Sequence, residues 1–217
     1  MMAVYRHFLR RMSRDRGLAA QGFAFFALSM MVCVFTIGSE DVLLTAILPG
    51  LAWALLLLSS LLGLGDLLEG EDLDDLILAH KSLPGLMAAK MAAHFTATGF
   101  VLALAGPLIL FVILPAASLP VLCLWLGFML GALSFSALGL LGAALTLGSR
   151  RNAALQALIV MPLCVPPLIF GAGALAAAQL DMGWHAPMAF LGAFACASLV
   201  LCPFAAAWIV RMKVTSS

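Results

Sequence analysis

The chain has 217 residues, of which 65% are apolar and only 10% charged, and its mean hydropathy is +1.16. A soluble domain carries about 25% charged residues, so this composition excludes a water-soluble globular protein and describes a polytopic membrane protein. The net charge of +1 gives no electrostatic footprint for nucleic acid.

Residues 1–17 divide cleanly by helical periodicity. Val4, Tyr5, Phe8, Leu9 and Met12 take one face; Arg6, His7, Arg10, Arg11 and Arg14 take the other. This predicts a helix lying in the membrane interface, its cations toward anionic headgroups of membrane lipid. The apolar run after it is long enough to span, and no small-residue cleavage site with a soluble domain follows.

Six membrane spans are predicted, at about 18–38, 43–65, 91–114, 120–147, 154–178 and 188–210. Ser39, Glu40 and Asp41 form a short turn between the first two. Between the second and third the sequence opens into DLLEGEDLDDLILAHKSLPGLMAAK, residues 66–90, with six of the ten carboxylates: Asp66, Glu69, Glu71, Asp72, Asp74 and Asp75. A run this acidic cannot sit in hydrocarbon. At about 100° per residue, Leu73, Leu76, Ile77 and His80 share one face. Glu71, Asp72, Asp74 and Asp75 lie roughly opposite, with Leu78 among them, and Lys81, Pro84 and Gly85 punctuate the pattern. The segment reads as a short amphipathic helix outside the membrane, packed on a partner. The plainer reading is a solvated linker.

The third span ends at Pro115, and Pro120 opens the fourth. Gly127 and Gly131 there form a G-x-x-x-G, a possible dimer seam, with Gly139 and Gly142 following. Arg150, Arg151 and Asn152 mark a second inner loop. Pro162, Pro166 and Pro167 are expected to break the fifth span, and freed carbonyls would place that kink inside the bundle. Gln179, Asp181, Trp184, His185 and Pro187 form the last outer loop.

Six spans put both termini on one side. All eleven Lys and Arg residues then fall on that side, and the opposite loops carry Glu40, Asp41 and Asp181. By the positive-inside rule the termini and the acidic segment are cytoplasmic.

Several chemistries are missing. The lysines are Lys81, Lys90 and Lys213, and none follows Gly, so no P-loop is present. No charge is expected mid-span, as a proton-coupled carrier requires. His94 and His185 read as packing or interfacial residues and not as haem ligands. Cys33, Cys123, Cys164, Cys196 and Cys202 lie in apolar stretches and read as small hydrophobes. The residues therefore assign no catalytic, cofactor or metal site.

The stretches PGLAWALLLLSSLLGL (49–64), LPGLMAAKMAAHF (83–95), LGALSFSALGLLGAALTLGSRRNAALQALIVMPLCVPPLIFGAGA (130–174) and CPFAAAWIVR (202–211) resemble the CcmB family. This is the membrane subunit of the ABC-type complex for cytochrome c maturation. The resemblance covers nearly the whole chain. EGEDLDDLILAHKS departs from it: this stretch is several residues shorter than the family's and lacks an Asp-Gly step. The resemblance implies an all-α, ABC-2 exporter-like permease in the bacterial inner membrane. It implies a homodimer that binds a cytosolic ABC ATPase. A haem-handling membrane subunit with a tryptophan-rich motif and a haem chaperone are the further partners, with haem and ATP handled by the complex. The residues expected to couple to the ATPase are Glu69, Glu71, Asp72, Leu73, Asp74, Asp75, Leu76 and Ile77, with Arg150 and Arg151 in the second inner loop. The competing readings are a self-contained secondary carrier, needing a mid-membrane site or a discontinuous helix, and a structural anchor.

Overall fold

A computed structural model describes residues 5–6, 8, 16–38, 40–62, 68, 82–114, 120–147 and 152–215. Their regular structure is helical. The elements are α1 (Arg16–Ile37), α2 (Asp41–Leu62), α3 (Leu83–His94), a π turn (Phe95–Gly99), α4 (Phe100–Ile113), α5 (Val121–Thr146), α6 (Asn152–Gln179) and α7 (His185–Thr215). With α3, the π turn and α4 continuous, six helices are long and apolar enough to cross a membrane. Helix is what such a sequence must form there, because hydrocarbon offers backbone N–H and C=O groups no other partner.

The helix ends carry local signals. Gly38 has φ +83° and donates its N–H to Val34 O at 3.0 Å, closing α1 with a left-handed cap. Asp181, φ +53°, closes α6 the same way: its N–H reaches Ala178 O at 3.4 Å and Met182 N–H reaches Ala177 O at 2.8 Å. The side chain of Lys213 donates to Leu145 O and Leu147 O, both at 2.7 Å, and so ties the end of α7 to the end of α5.

α5 is the axis of the bundle. It is the most buried span and packs on α2, α3, α4, α6 and α7. α1 is the least buried and packs on α2 and α4. Phe35, Val112, Leu158 and Phe204 stand exposed on the outside, where lipid tails are as apolar as they are. Little hydrophobic force therefore holds these helices together, and close packing and interhelical hydrogen bonds must do it.

Three expectations are corrected. The third span starts at Leu83, not near 91: Ser82 caps it by accepting from Gly85 N–H at 3.3 Å, and Pro84 sits in the first turn. Proline fits there because the first-turn N–H groups have no helical acceptor. Second, residues 83–90 of the supposed polar segment thus belong to the bundle. Leu83, Leu86, Met87 and even Lys90 are buried, the lysine in the first third of the span and not at its middle. Third, α6 runs unbroken past Pro162, Pro166 and Pro167. A proline removes one hydrogen bond and crowds one carbonyl, and packing on α2, α5 and α7 holds this helix regardless.

Candidate functional site

The centre of the bundle is built around Trp53 of α2, whose side chain is 1% exposed. Phe128 of α5 lies against it, with ring centroids 5.4 Å apart and tilted by 49°. Glycines supply the rest of the cradle. A Cβ added at Gly127 would lie 3.2 Å from Cζ2, and one at Gly131 would lie 2.5 Å from Cζ3 and 2.8 Å from Cη2. A Cβ at Gly171 of α6 would overlap the same ring. The G-x-x-x-G does bring helices close, but the surface it admits is this chain's own indole. Gly127 and Gly131 both meet Trp53 of the same chain in this way. Gly106 is also filled, by the Phe128 ring.

Further along α5, Gly139 and Gly142 meet α6. Gln156, buried, donates to Gly139 O at 3.2 Å. A Cβ at Gly142 would overlap Val160. Cys123 Sγ reaches Ala174 O at 3.7 Å. Cys123, Cys164 and Cys202 are buried and behave as the small apolar residues expected, whereas Cys196 is exposed on α7.

A second node lies where α3 meets α5. His94 is completely buried; its Nδ1 is 3.2 Å from Ser136 Oγ and its Nε2 is 3.2 Å from Thr98 Oγ1. Both ring nitrogens of His94 are thus engaged within the bundle. Lys90 Nζ lies 4.8 Å above the Phe8 ring, a cation–π contact that eases burial of an ammonium. Tyr5 Oη donates to Thr96 Oγ1 at 3.2 Å. Phe8 is buried and Arg6 exposed, as the two-faced pattern of the N-terminus predicts. These apolar residues rest on α3 and the π turn, however, and not on lipid alone.

At the other end of the bundle Gln179 Nε2 donates to Thr45 O at 2.6 Å, tying α6 to α2. A cleft of about 590 Å³ opens beside that bond, with Asp41 and Leu180 on its walls. His185 is exposed, and its ring lies 4.3 Å from that of Trp184. Among the described residues no group of three or more His, Cys, Asp or Glu side chains converges as a metal site.

The expected coupling residues Glu69, Glu71, Asp72, Leu73, Asp74, Asp75, Leu76 and Ile77, and Arg150 and Arg151, lie outside the described residues. Leu68, beside the first of them, is buried. Trp53 and the His94 node were not anticipated. Trp53 is the one tryptophan within the inner part of a predicted span, which was the available signal for it.

The comparisons with known proteins agree with this architecture. The chain matches the family model described as CcmB protein over residues 1–213. It is 39% identical to Heme exporter protein B of Paracoccus denitrificans (strain Pd 1222) over 221 residues, covering 99% of this chain and 100% of that one. It is 36% identical to Heme exporter protein B of Haemophilus influenzae (strain ATCC 51907 / DSM 11121 / KW20 / Rd) over 198 residues, covering 88% and 87%. Against Heme exporter protein B of Escherichia coli (strain K12) the identity is 34% over 216 residues, covering 97% of each. A family match across nearly the whole chain, full-length relatives and six membrane-length helices together show that the chain belongs to the CcmB family.

Proposed function

We propose that this chain is the permease subunit of an ABC-type haem exporter serving cytochrome c biogenesis. It couples ATP hydrolysis by a separate cytosolic ATPase to release of a haem-loaded chaperone outside the membrane. In this reading it sits in the bacterial inner membrane with both termini cytoplasmic. It works as a homodimer beside a haem-handling subunit that carries a tryptophan-rich motif. The family and the haem-exporter names of the relatives support the substrate class. The absence of a P-loop from the sequence supports a separate ATPase.

The observation that carries the coupling role is the start of α3. The acidic segment ends at Lys81, and Ser82 at once caps a helix whose Leu83, Leu86 and Met87 are buried in the bundle. A displacement delivered at the end of that segment therefore meets α3 directly, at Ser82. The carrier reading is favoured by buried Lys90 and His94. It loses its discontinuous helix, because α6 is continuous.

The test is co-purification with a cytosolic ABC ATPase from the same cells, together with reporter fusions. We expect the ATPase to be retained in detergent. Fusions at Ser39 and Asp181 should report the outer side, and fusions at Leu73 and Ser217 the cytoplasm. Chaperone release that continues in a strain lacking the ATPase would establish the carrier instead, and an inner signal at Asp181 would end the six-span topology.

A further inference from the structure

The third span is a continuous helix with a change of winding inside it. α3 stops at His94, and residues Phe95–Gly99 form a π turn, closed by Phe100 N–H donating to Phe95 O. A π turn fits one extra residue into the helix and is found mostly as a single turn at functional sites. Its two threonine hydroxyls reach back to carbonyls in the last turn of α3: Thr98 Oγ1 donates to His94 O at 2.8 Å, and Thr96 Oγ1 contacts Ala92 O at 2.9 Å and Ala93 O at 3.0 Å. The helices on either side of the turn also keep different company. α3 packs on α7 and α5, whereas α4 packs on α1, α2 and α5.

The turn is gripped from two directions. From α5, Ser136 meets His94 Nδ1 at 3.2 Å, while His94 Nε2 holds Thr98 inside the turn. Gly99 permits that approach, since a Cβ there would lie 3.2 Å from Ser136 Oγ. From the N-terminal segment, Tyr5 holds Thr96 at 3.2 Å and Phe8 lies beneath Lys90.

We propose that the π turn is a latched joint in span three. With His94 released from Ser136, α3 bends with the cytoplasmic segment ahead of it while α4 stays packed on α1 and α2. Two halves with separate neighbours, joined at a backbone-closed π turn that Ser136 holds from α5 through His94, give two discrete arrangements and not a continuous flexing. The driving force in this proposal rests on the permease reading; the joint itself does not.

The first arm of the test locks the joint. Gly99→Cys is paired with Ser136→Cys, in a chain whose five native cysteines are replaced by Ala, because a Cβ at Gly99 would lie 3.2 Å from the Ser136 side-chain oxygen that the second sulfur replaces. In the reconstituted complex, oxidation should lower ATP-driven chaperone release at least tenfold with the ATPase still bound, and reduction should restore it. Unchanged release from the oxidised, ATPase-bound complex overturns the joint.

The second arm uses the purified chain alone in nanodiscs and needs no ATPase. Ser136→Ala and His94→Asn should each speed amide hydrogen exchange at residues 95–100 at least tenfold, leaving 102–110 unchanged. A uniform change, or none, across both stretches overturns the proposal. If the wild-type chain captures no ATPase, the permease reading has failed, and this second arm still decides the joint.

Discussion

Gly171→Leu should abolish most recovery of folded protein, whereas Gly173→Ala, two residues along the same helix, should leave it near wild type. A Cβ at Gly171 overlaps three carbons of the Trp53 ring, while nothing lies within 4 Å of one at Gly173. The indole has no direction in which to retreat, because Gly127 and Gly131 of α5 and the Phe128 ring close its other sides. Overpacking costs about 1–3 kcal/mol and occasionally more, and a full leucine against a ring held on three sides belongs at or above that upper end. Gly173→Ala should fall within about 0.5 kcal/mol of wild type. The measurement is the fraction that stays monodisperse in detergent after stepwise heating. Trp53→Phe should recover part of the loss in Gly171→Ala. A double-mutant cycle should then show a coupling of about 0.5–3 kcal/mol, and strict additivity would remove the cradle as the cause.

The same residues mark what the sequence can and cannot tell. Span count follows from the lengths of apolar runs, a property of composition that packing does not alter. The glycine spacing of Gly127 and Gly131 correctly announces a close approach, but helical periodicity carries no information about which chain approaches. Only the fold shows that Trp53, far away in sequence, fills the gap. The start of span three was misplaced because Pro84, Gly85 and Lys90 read as breakers and a flanking charge. Yet Ser82 followed by Leu83 and Pro84 is itself a helix-start signal, so this boundary was legible. In α6 the prolines signal a break by local propensity alone, and packing on α2, α5 and α7 overrides it. The π turn has no local signature at all. Its neighbour His94 meets Ser136, a contact that exists only once α5 is docked.

Leu76→Asp is expected to weaken capture of the cytosolic ATPase by about tenfold or more, and with it chaperone release. Leu73, Leu76 and Ile77 fall together by helical periodicity, amid Glu71, Asp72, Asp74 and Asp75. So small an apolar face cannot fold alone in water, and the flanking carboxylates forbid insertion into hydrocarbon. A protein surface that buries it would gain roughly 1.5–3 kcal/mol from one leucine. Asp at that position forfeits the gain and adds a carboxylate to be desolvated. Asp74→Asn is the comparison, expected to cost no more than about 1 kcal/mol because exposed ion pairs contribute little singly. The measurement is ATPase retained on immobilised permease, with chaperone release assayed in parallel. Because Ser82 caps α3 immediately after the segment, weakened docking should reduce release at least as much as binding. Normal capture and normal release by a correctly inserted Leu76→Asp chain would remove the segment from the coupling path, leaving residues 150–151 as the remaining expected contact on that side.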